Sequence, residues 1–229
     1  MSKCEQCIVR QLNSLGELTK DELVRISACK SSDYIKKGEV LFDEGDHING
    51  VFCIKDGVCK VTKMSSNGRE QIIKLIKKGD LIGERSLVSD EVSNLKATAI
   101  NDMEVCFIPK DEIIKDLNNN SNFTMSVLKD LAASLKEADN IIVDMAQKTV
   151  KQRLAETLLH LNKSHGSNEV GKPLDIQLSR EDIASIIGTA TESAIRLLSK
   201  FKKEKMIHLK GKEIYILNPK ELHRIAEGF

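Results

Sequence analysis

The stretch LSREDIASIIGTATESAIRLLSKF, Leu178 to Phe201, decides how the chain is read. Ser179 followed three residues later by Asp182 gives an N-cap with a first-turn acid, so a helix starts there. Ile183, Ala184 and Ile187 then fall on one apolar face. Gly188 supplies a tight turn, and Thr189 or Thr191 with Glu192 starts a second helix. The buried face of that helix is Ala194, Leu197, Leu198 and Phe201. Small residues at Ala184 and Gly188 let two helices cross steeply at close approach. The pattern predicts a helix-turn-helix.

The second helix turns Thr191, Glu192, Ile195, Arg196, Ser199 and Lys200 outward, with Thr189 at its entrance. MIHLKGKEIYIL (206–217) follows as a hairpin with Lys210-Gly211-Lys212 at its tip, the wing of a winged helix. Glu192 and Arg196 lie four apart on one face. As a plain surface ion pair they are worth roughly 0.2–0.5 kcal/mol. The same geometry lets Arg196 donate to guanine O6 and N7 while Glu192 accepts from cytosine N4. Ile195, awkward in water, fits a thymine methyl, and Lys210 and Lys212 suit phosphates. Double-stranded DNA is the partner this face predicts.

Upstream, residues 123–160 contain no Gly or Pro and read as one long helix. Leu128, Leu131, Leu135, Ala138, Ile142 and Met145 step alternately by three and four, a coiled-coil seam flanked by charged positions. A narrow seam predicts a parallel homodimer, against the plainer reading of a helix packed on its own domain. Residues 34–108 alternate apolar and polar residues between Gly-containing turns, which predicts a small β-barrel or sandwich. Asp56-Gly57 and Asn67-Gly68 both read as hairpins. KKGE (36–39) returns as KKGD (77–80), a similar turn used twice. Residues 8–28 look helical and would cap the barrel, and 162–176 reads as a loop. The expected fold is α+β: a sensor barrel over 1–120, a dimerisation helix over 121–160 and a winged helix-turn-helix over 161–229.

Composition narrows the class. With 30% charged and 41% hydrophobic residues the chain reads as an ordinary globular protein, and no apolar run is long enough to span a bilayer. The N-terminus lacks the apolar core of a signal peptide, so a cytoplasmic protein is expected, with its six cysteines as thiols or metal ligands. Residues 151–229 hold 14 Lys/Arg against 10 Asp/Glu, leaving 21 against 24 in the rest, a mildly basic C-terminal part. No H-E-x-x-H, Walker loop or G-x-S-x-G occurs, and the five histidines are scattered, so no enzyme is expected.

In this order of parts the chain resembles the Crp/Fnr family of bacterial transcription regulators over nearly its full length. GEVLFDEGD (38–46), KDGVCKV (55–61), KKGDLIGE (77–84) and TVKQRLAETLL (149–159) resemble that family's sensor barrel and the end of its dimer helix. The 178–201 stretch with KGKEIYI (210–216) resembles its winged helix-turn-helix. The resemblance implies a cyclic-nucleotide-binding-type jelly-roll barrel, a parallel dimer and RNA polymerase as a further partner. It also implies a palindrome with TGA half-sites, read by Glu192 and Arg196. Ile195 departs from the small residues often found there, which leaves the outer base preference open.

Members that bind cyclic AMP resemble this chain at Gly83-Glu84, where a Glu meets the ribose, and then carry Arg-Ser for the phosphate. Here that stretch is Ser93-Asn94-Leu95, and Arg85 starts from the wrong end of the loop. A buried phosphate without a cation loses its charge-assisted bonds, which speaks against cyclic AMP. Oxygen-sensing members hold a [4Fe–4S] cluster on a C-x2-C-x5-C run plus one distant Cys. Cys4 and Cys7 match the first pair, and Cys106, in MEVCFIP (103–109), falls at the distant position. The third local position is Asn13, a poor iron ligand beside thiolate. The set is then completed by Cys29, by a carboxylate such as Glu17, or by a small external thiol.

Other readings stay open. Cys106 alone fits an ordinary core thiol, Cys4 and Cys7 alone fit a thiol switch or no role, and the barrel can hold another small molecule or none. Cys53 and Cys59 read as core or surface thiols, since a two-residue turn at Asp56-Gly57 sets Cys59 opposite Ile54. The function expected is a DNA-binding regulator set by a redox, oxygen or nitric-oxide signal. The rival is a cyclic-nucleotide-binding-like or ligand-free scaffold acting through protein interaction. Such a scaffold would keep a phosphate-binding Arg and have no use for the Glu192/Arg196 face.

Overall fold

The computed structural model describes residues 3–166 and 172–229. Met1-Ser2 of the N-terminal run and residues 167–171 of the expected 162–176 loop lie outside them. The chain divides into two compact units, 1–137 and 138–229.

The first unit opens with 3-10 turns at Cys4–Gln6, Ile8–Leu12 and Ser14–Glu17, so the helix expected over 8–28 is confined to α1, Lys20–Cys29. Two caps explain the difference. Asn13 Oδ1 accepts from the Leu15 N–H (3.0 Å) and its Nδ2 donates to the Gly79 carbonyl (2.8 Å), which breaks the run. Thr19 and Glu22 then form a capping box that starts α1.

The strands are β1 (Ser31–Ile35), β2 (Val40–Phe42), β3 (Gly50–Asp56), β4 (Val58–Met64), β5 (Glu70–Lys77) and β6 (Leu81–Ile82). After α2 (Glu84–Ser89) come β7 (Lys96–Ala99), β8 (Met103–Pro109) and α3 (Lys110–Asn119). The jelly-roll appears as two four-stranded antiparallel sheets, ordered β1-β8-β3-β6 and β2-β7-β4-β5. Between them lies a core that includes Ile54, Met103 and Val105 from one sheet and Cys59, Val61 and Ile76 from the other. The alternate residues Val51, Cys53, Cys106 and Ile108 face a second core, on the outer side of the first sheet. Leu23 and Ile26 of α1 and Ile113 of α3 cover it. Burial on both faces is why β3 and β8 are nearly continuous apolar runs.

The hairpin expected at Asp56-Gly57 is not formed. β3 pairs with β8 and β6, β4 pairs with β5 and β7, and Cys59 lies opposite Ile76 and Ala99 rather than Ile54. The chain crosses from one sheet to the other at Gly57, whose φ is +89°. A sheet-to-sheet crossing uses the positive φ that a hairpin would use, so the dipeptide alone does not distinguish them. Asn67-Gly68 does close a hairpin, between β4 and β5. The KKG turn is used twice in the same way: the Glu39 and Asp80 N–H groups donate to the Lys36 and Lys77 carbonyls, and their carboxylates accept from the Lys36 and Lys77 N–H groups.

The helix expected over 123–160 is two helices, α4 (Ser121–Gln147) and α5 (Val150–His165), so the expected loop begins after His165. Thr149 and Gln152 form a capping box that starts α5. The first turns of α4 bury Phe123 and Val127, with Leu131 packed beside them, in the outer core of the first unit. The C-terminal elements are α6 (Arg180–Ile186), α7 (Thr191–Lys203), β9 (Ile207–Lys210), β10 (Glu213–Ile216) and α8 (Pro219–Ala226), which packs on α5.

A Cβ at Gly57 would stand 2.6 Å from the Asp102 carbonyl oxygen and 2.7 Å from Met103 Cγ. Gly57→Ala is therefore expected to destabilise the first unit by on the order of 3 kcal/mol, measured by urea unfolding. A loss below about 0.5 kcal/mol, the level of a surface change, contradicts this crossing.

Candidate functional site

The helix-turn-helix is built as the sequence predicts. Ser179 and Asp182 form the capping box of α6, and Ile183, Ala184 and Ile187 are buried. Gly188 takes the positive φ of the turn (+63°). Ala194, Leu198 and Phe201 bury one face of α7, with Leu197 half-buried. Neither Thr189 nor Thr191 caps α7: the N-cap is Ala190, with no side-chain cap, and Thr191 is the first helical residue. Glu192, Ile195, Arg196, Ser199 and Lys200 are exposed, and Thr189 and Thr191 half-buried. Arg196 Nη2 donates to Ser193 Oγ at 3.2 Å; the face is not closed on itself by a Glu192–Arg196 ion pair.

The wing hairpin pairs Lys210 with Glu213, leaving Gly211 and Lys212 as its tip, and Lys210 and Lys212 are exposed. Arg180 Nη2 donates to the Gly211 carbonyl at 2.8 Å and so ties the tip to the start of α6. Arg153 of α5 does similar work at the turn. Its Nε donates to the Ile187 carbonyl (2.8 Å) and its Nη1 to the Lys148 carbonyl (2.7 Å).

At the other site, Cys4 and Cys106 are buried and Cys7 half-buried, all against the outer core. Lys30 lies among them, only 6% exposed. Its Nζ donates to Cys106 Sγ at 3.6 Å, and Cys4 is a second thiol partner. Burial alone would lower the Lys30 ammonium, but the charges and hydrogen bonds of Cys4 and Cys106 outweigh it and the net shift is upward. Ser32 Oγ lies 3.5 Å from Cys106 Sγ.

Cys29 does not join them. It ends α1 exposed, with its thiol 3.9 Å from Glu112 Oε1, and the Glu17 side chain is also exposed. Cys53, which the sequence reads as a core or surface thiol, stands directly opposite Cys106 in the β3–β8 ladder. Burial pushes its thiol up to about 12, with Cys106, Cys7 and Cys4 adding to the rise and the Asn13 hydrogen bond opposing it. Cys59 lies in the inter-sheet core, pushed up to about 12 by burial and Asp80. Among the described residues no three His, Cys, Asp or Glu side chains converge to hold a single metal ion. A cluster differs, because each thiolate binds its own iron.

Along α4, Leu128 (51% exposed), Leu135 (65%) and Ile142 (66%) recur every seven residues without cover. Ala138 and Met145 are half-buried, while Leu131 packs on the outer core, so it is not a pure seam position. Glu84, in the position implied for a ribose contact, borders an apolar cleft with Leu81, Leu87, Ile113, Leu117 and Phe123. In the stretch implied for the phosphate, Ser93 is buried and its Oγ donates to the Leu95 carbonyl at 2.8 Å. Arg85 is exposed.

Residues 33–120 match the cyclic nucleotide-binding domain family and residues 152–225 the Crp-like helix-turn-helix domain family. The chain belongs to the Crp/Fnr family. It is a DNA-binding transcription regulator and not an enzyme. The fumarate and nitrate reduction regulatory protein of Vibrio cholerae is 29% identical over 97% of this chain and 90% of its own length. The transcriptional activator protein Anr of Pseudomonas protegens is 26% identical over 97% of this chain and 89% of its own. FixK2 from Bradyrhizobium japonicum shares the fold with a TM-score of 0.77 at 23% identity, covering 85% of this chain and 96% of that one. A CooA mutant from Carboxydothermus hydrogenoformans does so with a TM-score of 0.73 at 18% identity, covering 98% and 100%. Among the described residues no helix is long and apolar enough to cross a membrane.

In this Crp/Fnr regulator the Glu84 carboxyl is pushed up to about 7 from the ordinary 4.5. Burial is the main cause; Asp130 and Asp80 add to it, and its own backbone N–H and Lys74 oppose it. Because the folded value lies above the unfolded one, the contribution to stability is complete below about 4.5 and lost as pH rises through about 7. Glu84→Gln should thus match the wild type near pH 4.5 and exceed it at pH 8 by on the order of 2 kcal/mol in urea unfolding. An equal effect at both pH values contradicts the buried carboxyl.

Proposed function

We propose that this Crp/Fnr regulator is a cytoplasmic homodimer reading a palindrome with TGA half-sites, under the control of a redox, oxygen or nitric-oxide signal received at Cys4, Cys7 and Cys106. The observation that carries the DNA reading is the outward face of α7. Glu192, Ile195 and Arg196 stand exposed on one helix whose other face is buried. Arg196 donates to guanine, Glu192 accepts from cytosine and Ile195 meets a thymine methyl. Thr189, Thr191, Ser199 and Lys200 border that contact, and Lys210 and Lys212 bring the wing to phosphates. Leu128, Leu135 and Ile142 support dimerisation, because a heptad stripe left in water is best covered by its own copy. RNA polymerase is the further partner in this reading.

For the signal, the residues fit an iron–sulfur cluster on one specific point. Lys30 sits in the core against Cys4 and Cys106. A neutral thiol is a weak acceptor for an ammonium, whereas a thiolate, free or bound to iron, is a strong one. Cys4, Cys7 and Cys106 would hold the cluster. Bound there, it would supply reactivity toward oxygen and nitric oxide that the side chains lack. Cyclic AMP fits less well, since Glu84 lies among Asp80 and Asp130 and the Ser93 hydroxyl is engaged by its own loop.

The DNA reading is tested by anaerobic titration of a TGA-containing palindromic duplex at fixed salt. Arg196→Ala should cost about 1–3 kcal/mol and relax the preference at one base pair per half-site. Lys210→Ala and Lys212→Ala should weaken all duplexes alike and lower the salt slope by about one for each lysine removed. Unchanged affinity and preference in Arg196→Ala would refute the contact.

A further inference from the structure

Four of the six cysteines face the outer core, yet the reading above uses three. We propose that Cys53 is the fourth ligand of the iron–sulfur site, in place of residue 13; this rests on the cluster reading.

Cys53 and Cys106 are direct cross-strand partners of β3 and β8, and both side chains enter the outer core. Opposite residues in such a ladder have Cβ atoms about 4.5–5.5 Å apart, within reach of one small inorganic group. Cys4 is buried in the same core and Cys7 packs against it. Residue 13 meets this group but does not supply a ligand. Asn13 Nδ2 lies 3.7 Å from Cys53 Sγ, while its amide is already engaged by the Leu15 N–H and the Gly79 carbonyl. The corner that Asn13 leaves is therefore where Cys53 stands.

The other candidates are placed elsewhere. Cys29 is exposed and turned to Glu112. Cys59 belongs to the core on the opposite face of the sheet. Glu17 is exposed at the end of its 3-10 turn.

Charge favours the same set. A dipositive cluster core held by four thiolates is a dianion, and a buried anion needs a nearby cation. Lys30, buried in the core with its Nζ donating to Cys106 Sγ at 3.6 Å, is placed to serve as that cation. Ligation is an exchange: a preassembled core leaves its small thiolate carriers, each of the four thiols gives up one proton as its sulfur binds one iron, and the released thiolates take those protons. No electron moves.

The test loads the full chain, without oxygen, from a [4Fe–4S] core carried by small thiolates, and measures bound iron and sulfide with the visible spectrum. The wild type and Cys29→Ser should both take up one cluster per chain. Cys53→Ser should hold roughly tenfold less iron or lower still, since even partners of metal ligands cost 10–100-fold. Asn13→Cys added to Cys53→Ser should restore loading, because its thiol starts beside the missing one; a mere folding defect at position 53 would not be repaired. Equal loading of Cys53→Ser, an empty Cys29→Ser chain, or an empty double variant overturns the assignment. A wild type that takes up no iron and sulfide overturns the cluster reading itself.

Discussion

The outer face of the β1-β8-β3-β6 sheet has to be covered, and what covers it brings the N-terminal cysteines and α4 into one core. Because β3 and β8 are apolar on both sides, one core takes in Cys4, Cys53 and Cys106 together with Phe123 and Val127 of α4. Cores of this kind are close-packed, so under the proposed reading a change in what the thiols hold would be felt by neighbouring side chains. Phe123 is 1% exposed, and truncating such a side chain costs about 3–5 kcal/mol. That is a large part of the roughly 5–15 kcal/mol that holds a domain together. Under the proposed signalling, detaching α4 would thus be too costly a response. A small shift of the helix against the sheet is the affordable one, and the same helix exposes Leu128, Leu135 and Ile142.

Lys30 gives this core its chemistry. An ammonium taken out of water needs polar partners, and Lys30 Nζ meets sulfur here, donating to Cys106 Sγ at 3.6 Å. A purely structural core would be more stable with an apolar residue in that place. The lysine is understandable if the sulfurs carry charge for a reason, which the proposed cluster provides. Ionic contacts elsewhere keep the frame in place: Arg25 of α1 pairs with Glu112 and Asp116 of α3, beside the covered face.

Much of this was legible in the sequence because it is local. The capping box at Ser179, the turn at Gly188 and the wing tip at Gly211 follow from residues within a few positions of one another. The capping signal at Thr149–Gln152 was present but is easily passed over in a stretch without Gly or Pro. Asp56-Gly57 misled because positive φ serves a crossing as well as a hairpin. What could not be read was pairing between distant strands. Cys53 reads as an ordinary core or surface thiol until β3 lies beside β8, and Lys30 follows Cys29 in a stretch with no motif. Cys29 looked eligible by proximity in sequence, and α1 carries it out to solvent.

The most direct measurement follows one anaerobic sample by visible absorption, iron and sulfide content and DNA affinity, before and after exposure to oxygen. A brown, iron- and sulfide-containing dimer whose affinity for its palindrome changes about tenfold in step with bleaching is the predicted result. A colourless, iron-free dimer that binds the palindrome equally well in both states would contradict it.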